Sequence, residues 1–249
     1  MVNTKDLKDK VAVVTGGTRG LGLKITEAFV AEGVRVVAAA RGTEGAAEGL
    51  GHLGDRAVFE QADVRDPESV KSLLSVAADR FGGVDIVVAN AGLSRPGPVA
   101  GLSFENWSQV LDTNVNGVFH CVKESVPYLE KSEHGRIITL SSALGSRPTR
   151  GAASYCSTKA AVEMFTRVVA LELAPLGITV NCLSPGFIDE GMGKLLKKNE
   201  AVWGQYAPKI SLCRMGLGEE VADAAVFLAS AAGSYVNGHV LEVNGGLSW

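Results

Sequence analysis

VAVVTGGTRGLG, from Val11 to Gly22, decides the architecture of this 249-residue chain. Its first five residues read as a short buried strand, which the glycines stop. Beyond them Leu21, Ile25 and Phe29 share one helical face until Gly33 ends the helix. The join is strand, glycine turn, helix. Gly16, Gly20 and Gly22 are spaced G-x-x-x-G-x-G rather than G-x-G-x-x-G. The physical logic is unchanged, because missing side chains let backbone approach a pyrophosphate and the helix N-terminus offers free N–H groups at its positive dipole end. A glycine-rich turn that is only structural is the plainer alternative. The Lys and hydroxyl of a G-K-[ST] phosphate loop are missing, which argues against an ATPase.

Working outward, six more apolar runs read as strands: VRVVAAA from Val34, AVFEQADV from Ala57, DIVVANAG from Asp85, GRIITLSS ending at Ser141 and Ser142, GITVNCLSPG, and HVLEV from His239. Helices are predicted over 66–81, with Pro67 suited to the first turn, and over 111–129, 155–173 and 219–228. Continuously apolar strands separated by helices imply an α/β fold with a mostly parallel sheet covered on both faces. With right-handed crossovers this becomes a doubly wound, seven-stranded sheet of Rossmann type in three layers, with ligands at the carboxyl ends of its strands. The exits TGGTRGLG, ADV, NAG, SSA and SPG all fall on that edge. No linker, repeat or low-complexity tract divides the chain, so residues 1–249 read as one domain.

Hydrophobic residues make up 46% and charged residues 20%, the range of an ordinary globular protein. A formal charge of -3 gives no reason to expect nucleic acid as a partner. The N-terminal MVNTKDLKDK is polar, without the apolar core of a secretory signal, and no run of about 18 apolar residues suggests a membrane span. Cys121, Cys156, Cys182 and Cys213 lack paired metal-ligand spacing. No metal site is expected, and buried reduced thiols in a cytoplasmic protein are the simplest account.

Charge also bears on the cofactor. A sheet that binds NAD carries Asp or Glu about 20 residues beyond the glycines, where the adenosine ribose lies. Here the second strand ends in Ala39, Ala40 and Arg41. An acid would repel a 2'-phosphate, whereas Arg41 offers it two N–H donors and Arg19 approaches from the glycine loop. Either arginine alone reads as a solvated surface residue. Together, with no acid at the site, they favour NADP(H). Further on, YCSTK sets Tyr155 and Lys159 four residues apart on one helical turn. That pair alone is equally a packed ring beside a solvated lysine.

The chain resembles the short-chain dehydrogenase/reductase family over essentially its whole length. The resemblance rests on TGGTRGLG, ADV, NAG, the Asn of DTN, a Ser thirteen residues before the Tyr, YCSTK, SPG and the terminal YVNG...VNGG. It implies that Gly16, Thr18, Arg19, Gly20, Leu21 and Gly22 bind the dinucleotide. Asp63 and Val64 would meet the adenine, with Asn90, Ala91 and Gly92 supporting it. Pro185, Gly186 and Ile188 would lie along the nicotinamide. The active tetrad falls on Asn114, Ser142, Tyr155 and Lys159, and Lys159 would also contact the nicotinamide ribose. Glu190 departs from the pattern, standing where a Thr commonly helps hold the cofactor.

The implied chemistry explains the Tyr and Lys. Hydride transfer to a carbonyl leaves negative charge on oxygen, which then needs a proton. The ordinary phenol pKa is near 10, and a neighbouring ammonium is expected to lower it so that Tyr155 works as acid and base. Ser142 would donate to the carbonyl oxygen as charge develops. Asn114, odd in a helix interior, would bend the helix and hold a water linked to the lysine.

For substrate, the resemblance places a lid at about 187–215, carrying Phe187, Met192, Leu195, Leu196, Trp203 and Tyr206 beside Lys194, Lys197 and Lys198. An apolar wall and an ordinary amphipathic helix both account for these. Much of the chain is similar to bacterial 3-oxoacyl carrier-protein reductases, whose basic docking pair is matched here by Glu133 and Leu176. An acyl carrier protein is therefore set nearly level with small free ketones as partner. The expectation is an NADPH-dependent oxidoreductase interconverting a ketone and a secondary alcohol, a 3-oxoacyl thioester among the candidates. A general or secondary-metabolite carbonyl reductase is the alternative, and a non-catalytic NADP-binding regulator the remote one. Apolar residues on several faces of helices 111–129 and 155–173, with the family's habit of packing these against their copies, imply a homotetramer.

Overall fold

β1 (Val11–Thr15) is fully buried and lies between β2 (Arg35–Ala40) and β4 (Ile86–Ala89), pairing parallel with both. In the computed structural model, which describes residues 4–191, 193–194 and 200–248, the other strands are β3 (Ala57–Gln61), β5 (Arg136–Leu140), β6 (Thr179–Pro185) and β7 (Val240–Val243). Their order is β3-β2-β1-β4-β5-β6-β7, and every pair is parallel. The direction of the strand order reverses between β1 and β4, which opens a crevice beside the glycine turn.

Helices cover both faces. α1 (Gly20–Ala31) and the last long helix lie on one side, where Ile25, Phe29, Val221 and Ala225 join the strand residues Ala12, Val14 and Val36 in one core. α3 (Pro67–Phe81), α5 (Gly117–Leu129) and α6 (Ala153–Leu173) cover the other, where Leu73, Val122 and Val162 meet Val13, Val37 and Ile137. Asp66 caps α3 by accepting from Glu68 N, with Pro67 in the first turn as the sequence predicts.

Three local features differ from the sequence reading. The helix expected from 111 begins earlier, as α4 (Phe104–Leu111), capped by Ser103 Oγ accepting from Asn106 N at 3.2 Å. A π-helical turn, Asp112–Asn116, then joins α4 to α5. The glycine-dense stretch after β2 folds into a short α2 (Ala46–Leu50) and a 3-10 segment, Gly51–Arg56. The four thiols do not share one environment either: Cys121 and Cys182 are buried, Cys156 is half-buried and Cys213 is exposed at φ 53°. Among the described residues the short α7 (Glu200–Tyr206) and the last long helix, α8 (Gly218–Ala229), complete the order.

Candidate active site

Because the sheet is parallel, the exits from β1, β3, β4, β5 and β6 gather on one edge. At the first of them, Thr15 Oγ donates to Val88 O at 3.3 Å and accepts from Asn90 N and Ala91 N, each at 3.1 Å. Asn90 Nδ2 answers by donating to Thr15 O at 2.8 Å and Gly16 O at 3.2 Å. The end of β4 is thus stapled to the glycine turn. Gly16 takes φ 67°, and a Cβ at Gly22 would stand 2.0 Å from Gly16 O, so the turn closes only with glycine. Thr26 Oγ, one turn along α1, reaches Gly17 O and Gly22 O at 3.1 and 2.9 Å. Thr15 and Thr26 were not singled out in the sequence. A hydroxyl at a strand end before glycines is the only signal that pointed to the first.

α1 starts at Arg19 with no side-chain cap and no acidic residue in its first turn. Among the described residues its own cap and first turn thus offer these N–H groups and the positive dipole end no anion, which fits the pyrophosphate of a dinucleotide. Thr18 and Leu21 are half-buried in the same turn, and Arg19 is exposed. Gly191, from the loop after β6, lies over the turn, its Cα 3.6 Å from where a Cβ on Gly20 would stand. At the adenosine end Arg41 is exposed one residue past β2, its carbonyl held by Gln61 Nε2 at 2.9 Å. Asp63 leaves β3 beside it, and Val64 is buried with its carbonyl bonded to His120 Nδ1 at 2.9 Å. The Arg65 guanidinium holds the Asp63 carboxyl below the usual carboxylate range.

Toward the middle of the edge, Asn114 sits in the π turn, fully buried. Its Oδ1 accepts from Leu93 N and its Nδ2 donates to Leu93 O, both at 2.9 Å, with a third bond to Thr158 Oγ at 3.1 Å. The π turn breaks the helical register at this point, so the amide ties the loop after β4 to α6 instead of bonding within its own helix. Ser142 follows β5 in extended conformation and accepts from Leu144 N at 3.2 Å. Its hydroxyl lies near enough to Tyr155 to act on the phenol's pKa. Lys159, only 4% exposed, donates to Leu140 O at 2.7 Å and stands 5.6 Å from the Tyr155 ring centroid. A Cβ at Gly92 would come within 3.4 Å of Asn114 Oδ1 and 3.6 Å of Lys159 Nζ, so the two groups converge there. Ser141, missed in the sequence, donates to the buried Glu163 at 2.8 Å and braces the Ser142 segment against α6.

The electrostatics differ from the sequence expectation. Burial raises the Tyr155 pKa, and the neighbouring Ser142 hydroxyl works against that rise. Burial also pulls Lys159 down from 10.5 to about 8. The ammonium was expected to lower the phenol, yet its own loss of water brings it near neutrality first.

β6 carries Pro185 to the same edge, and a Cβ on Gly186 would stand 2.7 Å from Asn244 Cβ. Ile188 is buried, and its bridge to Gly216 runs through Phe187 O and Asp189 N, which turns the Ile188 backbone the other way. Glu190 pairs with Lys194 at 2.9 Å and packs its stem over Gly218. From the lid, Phe187 stacks near Tyr206 at 4.6 Å and Trp203 at 6.3 Å, and Tyr206 reaches Thr149 at 3.4 Å. Met192, Leu195, Leu196, Lys197 and Lys198 lie outside the described residues. Glu133 and Leu176 precede β5 and β6, at the opposite edge of the sheet from Ser142. Within one chain they do not flank the site. The sequence reading placed them there by analogy, and strand direction corrects it.

A doubly wound parallel sheet, an uncapped glycine turn and a Ser-Tyr-Lys cluster on one edge define a dinucleotide-dependent oxidoreductase of the Rossmann class. A family model described as enoyl-(acyl carrier protein) reductase matches residues 16–248. The chain is 37% identical over 242 residues to the 3-oxoacyl-[acyl-carrier-protein] reductase FabG of Vibrio cholerae, covering 97% of this chain and 98% of that one. The protein of the same name from Escherichia coli is 36% identical with the same coverage, and that from Staphylococcus aureus is 36% identical over 96% and 98%. The chain belongs to the short-chain dehydrogenase/reductase family.

Proposed function

We propose that this protein is an NADPH-dependent reductase that interconverts a ketone and a secondary alcohol. The observation that carries the reading is the gathering of Ser142, Tyr155 and a buried Lys159 on one sheet edge, with Lys159 5.6 Å from the Tyr155 ring and drawn down to a pKa of about 8. The dinucleotide, when bound, supplies the hydride. The turn at Gly16, Gly20 and Gly22 would hold its pyrophosphate, and Arg19 and Arg41 its 2'-phosphate. Pro185, Gly186 and Ile188 would line its nicotinamide.

Around the carbonyl, Ser142 donates to the oxygen that gains charge, and the Tyr155 hydroxyl gives that oxygen its proton. Lys159 titrates close to the working pH, so it returns a proton to Tyr155 without a large uphill step. Asn114 fixes α6 to the loop after β4, which sets the spacing of these groups. The carbonyl gains one hydride and one proton and becomes the alcohol.

Two substrate readings remain in competition, and the named relatives favour a 3-oxoacyl thioester. Free ketones are favoured by Glu133 and Leu176, which give an acidic carrier no basic pair in any assembly that brings them to a site. The lid rings Phe187, Trp203 and Tyr206 offer an apolar wall to either. The deciding experiment compares initial NADPH oxidation for a carrier-bound 3-oxoacyl group, its small thioester, an enoyl thioester and free ketones, at low and high salt. A large preference for the carrier-bound form that salt weakens supports charge-steered docking. Equal rates with free ketones support a general ketoreductase. No carbonyl turnover, with NADPH still bound, leaves the non-catalytic reading.

A further inference from the structure

The ion pair of Asp63 and Arg65 lies where the cofactor's adenosine would sit, and neither the glycine turn nor the Ser-Tyr-Lys chemistry requires it. Arg65 Nε stands 3.0 Å from both Asp63 oxygens, Nη2 reaches Oδ2 at 2.6 Å, and the Arg65 backbone N–H adds a bond to Oδ1 at 3.0 Å. A planar guanidinium held in this way is a fork on a carboxylate, the strongest form of such a pair. The arrangement is local, since Asp63 and Arg65 are two residues apart in the turn that joins β3 to α3.

The register of the sheet says what the pair faces. Ala40 at the end of β2 pairs with Gln61 at the end of β3, and Ala62 N continues the ladder to Ala40 O at 3.0 Å. Arg41 and Asp63 therefore leave adjacent strands side by side, and Arg41 is close enough to act on the Asp63 charge. An unpartnered Asp63 would put a carboxylate next to the basic group that is to receive a phosphate. That would undo the charge of Arg41, since an acid near this position repels a 2'-phosphate.

We infer that Arg65 is a positioning residue for cofactor choice: by forking Asp63 it cancels an acidic charge beside Arg41 and keeps the site receptive to the 2'-phosphate of NADP(H). The inference rests on the NADPH reading above. It also assigns the carboxylate's acceptor sites largely to Arg65, so Asp63 contributes shape at the adenine more than free charge. Arg65 remains 43% exposed in its side chain, so the effect is a solvent-screened one.

Binding of NADPH and NADH to the intact protein tests this without turnover, by titrating nicotinamide fluorescence. Arg65→Met should weaken NADPH by about fivefold, the scale of a screened charge interaction with a phosphate, and leave NADH nearly unchanged. The NADPH-to-NADH ratio of dissociation constants should return to the parent value when Asp63→Asn is added. The change should also shrink in high salt. An equal loss for both cofactors would mark a merely structural role and overturn the inference. So would an altered ratio that persists in the double variant, because Arg65 would then act directly. A parent protein that binds NADH as tightly as NADPH would sink the cofactor reading itself, a result distinct from any of these.

Discussion

Replacing Lys159 by Met should make the protein no less stable at neutral pH while abolishing its turnover. Lys159 is 4% exposed, and its fall from 10.5 to about 8 is worth about 3 kcal/mol against the charged form. Methionine keeps the length and fills the space without that cost. What it loses is the 2.7 Å bond to Leu140 O, and a buried acceptor left without its donor costs about 1–3 kcal/mol. The two effects nearly offset at pH 7. The pH dependence separates them. A lysine depressed in the folded state has its full stability only above the unfolded value of 10.5, and that stability is lost as pH falls toward the folded value of about 8. The parent should therefore gain about 2–3 kcal/mol relative to Lys159→Met between pH 7 and pH 10. Tyr155 and the buried thiol Cys121 have raised values and lose stability at high pH in both proteins alike. Cys182 is also raised by burial but is held down in part by Lys159, so it loses somewhat more in Lys159→Met, a change of the same sign as the predicted one. Urea unfolding of both proteins at matched concentration, in steps from pH 7 to pH 10, gives the comparison. Parallel profiles would refute the claim that Lys159 is held desolvated at the site.

Other outcomes follow from the same geometry. Arg41→Asp should raise the NADPH dissociation constant at least tenfold, the size of a lost charge-assisted bond plus repulsion, and change that for NADH far less; equal changes in titrations of both would show that Arg41 does not meet the 2'-phosphate. Gly22→Ala should weaken binding of both cofactors by at least tenfold and lower the melting temperature, since its Cβ would stand 2.0 Å from Gly16 O, a backbone atom that must move; wild-type values for both would mean that the turn yields freely. Assembly as a homotetramer is expected because Phe119, Met164, Val168 and Leu171 remain 44%, 57%, 46% and 78% exposed on α5 and α6. Light scattering at micromolar concentration should give four chains for the parent and fewer for Leu171→Lys, and a monomeric parent would contradict the proposal.

The seven strands were legible because each is a short, largely apolar run that ends near glycine or a polar turn, as VAVVT does before Gly16. Their exits on a common edge followed from parallel pairing, which continuous burial implies. The start of α4 was not legible: Phe104 is 82% exposed, so the apolar periodicity there marks no core face. The π turn was hidden for a different reason. It shifts register within an unbroken helical run, and only Asn114, a poor helix former, hinted at it. Residue spacing brought Tyr155 and Lys159 together but carried nothing about their burial, which is why the direction of the phenol's pKa was misjudged. The Asp63–Arg65 fork joins residues two apart in a turn, outside any helical or strand spacing rule. Glu133 and Leu176 show the limit of matching positions without strand direction.

The central claim is that Tyr155 delivers the proton while the cofactor is held by other residues. Tyr155→Phe removes one hydroxyl and leaves the ring in place. With whichever carbonyl substrate the parent reduces fastest, its kcat should fall by about 100-fold or more, as loss of a general acid requires. The dissociation constant for NADPH, measured on the same preparation, should stay within about twofold of the parent's, because the turn at Gly16 to Gly22 and Arg41 are untouched. Undiminished kcat in Tyr155→Phe would contradict the account at its core.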